Sequence, residues 1–146
     1  MEVIPISSNI LTKDYIKTAI DTLCNYCYEE LYVYVDFVEE SEECSFGSDP
    51  VDPLNTELVG DIEIGVDLDL EHQYYALIHE TGHALLHLEE SESSDTVLLE
   101  AQAWCEGLNA AKKLGLRVNE SKLREQMMHA LFLYNEEIKK KVCGFS

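Results

Sequence analysis

The chain has 146 residues and sets 29 Asp plus Glu against 10 Lys plus Arg, for a formal net charge of −19. So acidic a protein repels phosphate backbones and anionic lipid, which excludes direct nucleic-acid binding and membrane-surface binding as expected roles. Hydrophobic residues make up 46%, a globular composition whose length suits one domain over 1–146, and no run of about 18 apolar residues predicts a transmembrane helix.

The start, Met1-Glu2-Val3-Ile4-Pro5, lacks the basic residues and long apolar run of a signal peptide, so a cytoplasmic location is expected. The five cysteines (24, 27, 44, 105 and 143) are odd in number and follow no framework spacing; free thiols are expected. Cys24 and Cys27 form a C-x-x-C, but inside a helical pattern and with no second pair, so packing is expected there and not metal. The acidity reads first as a solubility device, and more sharply as a match for a basic partner or mimicry of a polyanion.

Residues 1–10 read as an extended lead-in. A helix is predicted from near Thr12, with Ile16, Ala19, Ile20, Leu23 and Cys27 on one face. Leu31 to Val38, rich in β-branched and aromatic residues, predicts a strand. Glu39 to Asn55 carries four glutamates, Gly47, Pro50 and Pro53 and predicts a loop, solvated or touching a substrate. Across Leu58 to Leu70, apolar residues at 62, 64, 66, 68 and 70 alternate with polar ones. That predicts a half-buried strand with Asp61, Glu63, Asp67 and Asp69 outward, and as a sheet edge it would pair with an extended, basic peptide.

From about Glu71 to Glu90 the period turns helical and the residues are apolar on nearly every side, as in a buried helix. An acidic, serine-rich turn follows, in which Ser93, Ser94 or Asp95 can cap the next helix. That helix is predicted over about Thr96 to Leu114, with Val97, Ala101, Trp104, Leu108 and Ala111 as its stripe and Gly115 beyond its end. A last helix, about Asn119 to Val142, places Leu123, Met127, Ala130, Leu131 and Tyr134 on one side, with Lys139 to Lys141 favouring the dipole of its last turn. The fold class expected is α+β: an N-terminal helix, a short sheet, then three helices.

The buried helix carries His79-Glu80-Thr81-Gly82-His83, of the form H-E-x-x-H. Histidines four apart share one helical face and can reach a single Zn²⁺, while the glutamate beside the first can act on a metal-bound water. Two imidazoles and a carboxylate in an apolar helix would otherwise each need a buried polar partner, and a cation satisfies all of them at once. Zn²⁺ is the expected cofactor. The third ligand chosen is Glu100, 17 residues on and beside the apolar stripe; Glu92 and Asp95 stay open, and Glu106 looks more exposed. His87 is one further turn along, but each four-residue step drifts by about 40°, which suits a packing role better. Gly82 costs about 1 kcal/mol within a helix, so another element, with Trp104 as one candidate, is expected to press close there.

His79-Glu80-Thr81-Gly82-His83-Ala84-Leu85-Leu86-His87 followed by Glu100-Ala101-Gln102-Ala103-Trp104 resembles the zincin metallopeptidases, and among them the small ImmA/IrrE-type proteins of bacteria and phages. The likeness spans about Tyr74 to Leu108. It implies a zincin-like domain, His79, His83 and Glu100 as ligands, Glu80 as general base, and cleavage of an intracellular protein such as a transcriptional regulator. The helix after Glu100 lacks the Leu-Leu-x-Pro ending that often closes that pattern, and the acidic loop at 39–55 has no match in it. The expected mechanism is attack of metal-activated water with Glu80 moving the proton; His129 and Tyr134, on the last helix, are donors available for the oxyanion. The alternative is a non-catalytic zincin-like protein whose acidic surface binds a basic partner.

Overall fold

A computed structural model describes residues 10–39, 44–47, 58–92 and 94–143, with 133–143 as backbone alone. Within them lie α1 (Lys13–Glu30), β1 (Val33–Val38), β2 (Ser45–Gly47), β3 (Gly60–Gly65), α2 (Leu70–Leu88), α3 (Thr96–Lys113) and α4 (Glu120–Cys143). The class is α+β, as expected. No helix among the described residues is long and apolar enough to cross a membrane.

Helix α1 starts where Thr12 Oγ1 accepts from the Tyr15 N–H at 3.0 Å, an N-cap that satisfies one orphan donor. Its buried residues are the five read from the sequence, Ile16, Ala19, Ile20, Leu23 and Cys27. Burial pushes the Cys24 thiol up to about 12 and the Cys27 thiol up to about 11, so both stay protonated at neutral pH. Cys27 Sγ lies 3.4 Å from Thr81 Oγ1 on α2. The C-x-x-C therefore packs α1 against α2. Cys24, Cys27, Cys44 and Cys105 are free, and the Cys143 side chain is outside the described residues.

The sheet order is β1-β3-β2, with β3 parallel to β1 and antiparallel to β2. This corrects two expectations. The alternating segment does not form the sheet edge: β3 is the middle strand, because β2, cut from the stretch expected to be all loop, pairs along its other side. Nor does the strand run to Leu70. It stops at Gly65, Val66–Leu68 turn, and Asp69 leaves the sheet to cap α2 by accepting from the His72 N–H at 2.9 Å. Of the four acids expected on the outer face, only Asp61 and Glu63 lie in the strand. Ile62 and Ile64 are fully buried on the inner face, towards the helices. The loop residues 40–43 and 48–57 are outside the described residues, as are 1–9.

Helix α3 is capped by Asp95, whose Oδ1 accepts from the Leu98 N–H at 3.0 Å, and it ends before Gly115 at φ +76, a left-handed position suited to glycine. Its buried face differs from the expected stripe. Glu100, Ala103, Trp104, Gly107, Ala110 and Ala111 are inside, whereas Val97, Ala101 and Leu108 are half-buried. Trp104 and Ala111 of the expected stripe are inside, but where the neighbouring helix comes closest the inner positions fall to the small residues Ala103, Gly107 and Ala110.

Three tyrosines hold the link from α3 to α4. The Tyr74 hydroxyl donates to the Arg117 carbonyl at 2.7 Å, the Arg117 N–H donates to the Tyr15 hydroxyl at 2.7 Å, and the Asn119 N–H donates to the Tyr75 hydroxyl at 2.9 Å. Lys122 adds an ion pair to Glu71 at 3.1 Å. The first turns of α4 are thereby tied beside the first turns of α2. Leu123 is buried and Met127 and Ala130 are half-buried, while Tyr134 and Lys139 to Lys141 have side chains outside the described residues.

Candidate metal centre

Helix α2 lies in the core because its residues are apolar around most of its girth: Tyr74, Tyr75, Leu77 and Ile78 are at most 1% exposed. The same burial encloses His79, Glu80 and His83, whose ligand-capable atoms all lie within 4.8 Å of one another. Helix α3 folds back and delivers Glu100. Its Oε1 is 3.1 Å from His79 Nε2 and its Oε2 is 2.9 Å from His83 Nε2, so one carboxylate spans both imidazoles.

Two glycines make that approach possible. A Cβ on Gly82 would overlap the Ala103 carbonyl, and a Cβ on Gly107 would overlap the Ile78 carbonyl. The contact is reciprocal: each helix gives up a side chain where the other's backbone enters. The close approach expected at Gly82 is present, but the backbone of Ala103 makes it, and Trp104 does not. Trp104 instead lies flat on His79, with ring centroids 4.4 Å apart and planes 6° from parallel.

Electrostatics follow from this enclosure. Burial works against charge on His79, but the Glu100 and Glu80 carboxylates outweigh it and raise the imidazole to about 9. Burial likewise opposes charge on Glu100, yet the two histidines hold it down at about 2. His79 Nδ1 is 3.4 Å from Glu80 Oε2. Its Nε2 is buried and lacks a well-directed hydrogen bond despite the nearby Glu100 oxygen. A buried nitrogen of this kind is poorly served by proton chemistry alone and well served by a cation.

Spacing agrees. A tetrahedral ion with bonds of about 2.1 Å sets its ligands about 3.4 Å apart. The two imidazole–carboxylate separations, 3.1 and 2.9 Å, need to open by only a few tenths of an ångström. His79, His83 and Glu100 thus lie near the spacing that an ion needs, and Glu80, whose carboxylate groups with both histidines within 4.8 Å, adjoins them.

The other candidates lie apart from this set. His87 Nδ1 pairs with Glu92 Oε1 at 3.0 Å on the surface, and its ring packs on Phe46 of β2. Asp95 is engaged as the α3 cap, and Glu106 is half-buried outside the cluster.

A cleft of about 710 Å³ opens beside the set, reached by His79 of its members and bordered by Trp104 of α3. Ala76, His79 and Glu80 of α2 form one wall, Gln126, His129 and Ala130 of α4 the other, and Cys44 borders it just before β2. Of the two oxyanion donors named from the sequence, His129 is thus at the cleft; the Tyr134 side chain is outside the described residues. Sequence reasoning missed Ala76, His72 and Cys44 as cleft residues. His72 and Ala76 had a readable signal, since they lie seven and three positions before His79 on the same helical face. Cys44 had none.

No protein-family model, no curated protein and no solved structure matches this chain.

Proposed function

We propose that the chain is a zinc-dependent metallopeptidase that hydrolyses a protein or peptide substrate, with His79, His83 and Glu100 as zinc ligands and Glu80 as general base. The observation that carries this reading is Glu80 itself. It is only 5% exposed, it borders the cleft, and it adjoins His79 at 3.4 Å, while Glu100 spans both imidazoles from the other helix. A site built only to hold an ion gains nothing from a buried carboxylate in that place. Two imidazoles and one carboxylate with a position left over favour zinc. The resemblance of the motif and of Glu100 to the ImmA/IrrE-type zincins supports the same assignment and suggests a transcriptional regulator as substrate.

A zinc ion held there supplies Lewis acidity, both to acidify water and to polarise the scissile carbonyl. Glu80 takes the proton of the attacking water and returns it to the leaving amine. His129, exposed across the cleft, is the available donor to the carbonyl oxygen as charge gathers on it.

The decisive experiment is the E80Q variant, assayed for zinc by elemental analysis and for cleavage of candidate regulators with and without chelator. Retained zinc and lost cleavage support the proposal; wild-type cleavage by E80Q sinks it. The acidity of the chain favours a second reading, a metal-holding protein that binds a basic partner without cutting it. In that case the partner co-purifies intact and E80Q binds it equally well.

A further inference from the structure

We propose that Trp104 is a positioning residue for the metal site, clamping the His79 imidazole in its ligating plane. The inference rests on the reading of His79 as a ligand.

Four groups bear on the His79 ring, and together they leave it one orientation. Nδ1 faces Glu80 and Nε2 faces Glu100. The His83 ring lies 4.7 Å away and tilted by 57°, against one part of it. The Trp104 indole lies over its face, parallel to within 6°. The indole adds a steric stop to rotation about the bond from Cβ to the ring, because turning the imidazole out of plane would drive its edge into the stacked surface. Rotation is the motion that would swing Nε2 away from Glu100 and from a bound ion.

The clamp is anchored on backbone. Residues 103 and 107 of α3 are the positions where the helix bears on Gly82 and Ile78 of α2. Trp104 lies between those two bearings, so its height above His79 is set by helix-to-helix contact and not by a loop. The choice of tryptophan also carries a penalty that a packing residue would avoid. Its Nε1–H is buried without a hydrogen-bond partner among the described residues, and a phenylalanine or leucine would leave no such donor unsatisfied. Its broad aromatic face lies parallel over the imidazole, and its edge reaches the cleft.

The test compares W104F, which keeps a ring, with W104L and W104M, which fill the space without one. Zinc affinity is measured by competition with a chromophoric chelator on protein shown to be folded by circular dichroism. Cobalt is substituted in parallel, so that its visible absorption bands report ligand geometry. W104F should bind zinc within about threefold of wild type, whereas W104L and W104M should bind about 10–100-fold more weakly, the range found when groups orienting a metal ligand are removed. Their cobalt bands should shift. A residue that serves only packing would lower the melting temperature and leave affinity and spectrum as they are. Trp104 is also the chain's sole tryptophan, so saturable change of its emission on adding zinc to the wild type is expected as well. Wild-type affinity and spectrum in folded W104L or W104M overturn this inference alone. A wild-type chain that binds no zinc overturns both this inference and the proposed function.

Discussion

The two long sides of α2 follow opposite rules. Towards α3 there is no room: Gly82 and Gly107 let each backbone into the other, and Glu100 and Trp104 both reach His79 across that seam. Towards α4 there is space: hydrogen bonds and one ion pair tie the helices at their first turns, and beyond them a cleft opens between Ala76 and Ala130. One side fixes Glu100 and Trp104 against His79, and the other leaves a cleft beside Glu80. Histidines at i and i+4 belong to the first side, and the neighbouring glutamate, turned a further 100° about the axis, borders the second.

The largest effect should come from the cleft side with the seam untouched. E80Q keeps shape and burial and removes only the base, so kcat should fall by about 10²–10⁴. Its stability and zinc content should stay at wild-type levels in denaturant titration and elemental analysis. Lost zinc in E80Q would mean that Glu80 is a ligand and that the division between the two sides is drawn in the wrong place.

Next comes the seam. G82A adds a methyl group where the obstacle is the Ala103 carbonyl, which cannot turn aside as a side chain could. Ala favours helix over Gly by about 1 kcal/mol, so helix propensity alone predicts a gain. Overpacking against backbone should reverse the sign and cost about 2–3 kcal/mol. Because Glu100 moves outward with α3, zinc affinity should fall with stability. A stabilised G82A with normal zinc affinity would show that the helices have slack to separate without disturbing the ligands.

These sides differed in how far the sequence revealed them. The juxtaposition of His79 and His83 is legible because a helix converts spacing into geometry: four residues make about one turn whatever surrounds them. Glu100 was legible because a capped turn and a second helix leave few ways to fold back, and Asp95 and Gly115 mark that helix's ends. The strand at 60–65 was recognised, but its continuation to Leu70 was not stopped. Alternating apolar residues describe Val66 and Leu68 equally well in a turn, and only the capping of α2 by Asp69 breaks the pattern. Its place in the middle of the sheet depended on Ser45–Gly47, three residues in a stretch full of breakers whose pairing comes from β3 and not from local preference. The inner face of α3 departs from the expected stripe at Val97, Ala101 and Leu108, though not at Trp104 and Ala111, for a similar reason. Hydrophobicity ranks Val97 and Leu108 above Gly107, whereas close helix packing ranks by size.

The pH response of the protein stripped with chelator tests the charges at the seam. His79 is raised from its ordinary 6.5 to about 9, so its contribution to stability is complete below about 6.5 and is lost as pH rises through about 9. Glu100 is lowered from 4.5 to about 2, so its contribution is complete above about 4.5 and is lost as pH falls towards 2. Stripped protein should therefore be most stable between about 4.5 and 6.5 as far as these groups decide it. Zinc requires neutral imidazoles and competes with their protons, so zinc-loaded protein should shift its optimum upward, above 7. Melting curves across pH with zinc and with chelator check the crossing. A stripped protein whose stability rises from pH 6 to 9 would show that the carboxylates do not hold His79 protonated.

The smallest effect separates the seam from the end of the helix as the cause of Glu100's position. Asp95 caps α3 five residues before Glu100, and removing the cap in D95A should cost about 1 kcal/mol as the first turn frays. If the local start of the helix aimed Glu100, that fraying would carry the carboxylate with it and weaken zinc binding markedly. Glu100 is, however, only three residues before Ala103, where α3 bears on Gly82, and helix propagates readily from a fixed turn. D95A should accordingly lower the denaturation midpoint while leaving zinc affinity within about threefold of wild type, since a loss of about 0.6 kcal/mol or less at the site corresponds to that ratio. A tenfold loss of zinc in D95A would move control of the third ligand from the glycine seam to the capped turn.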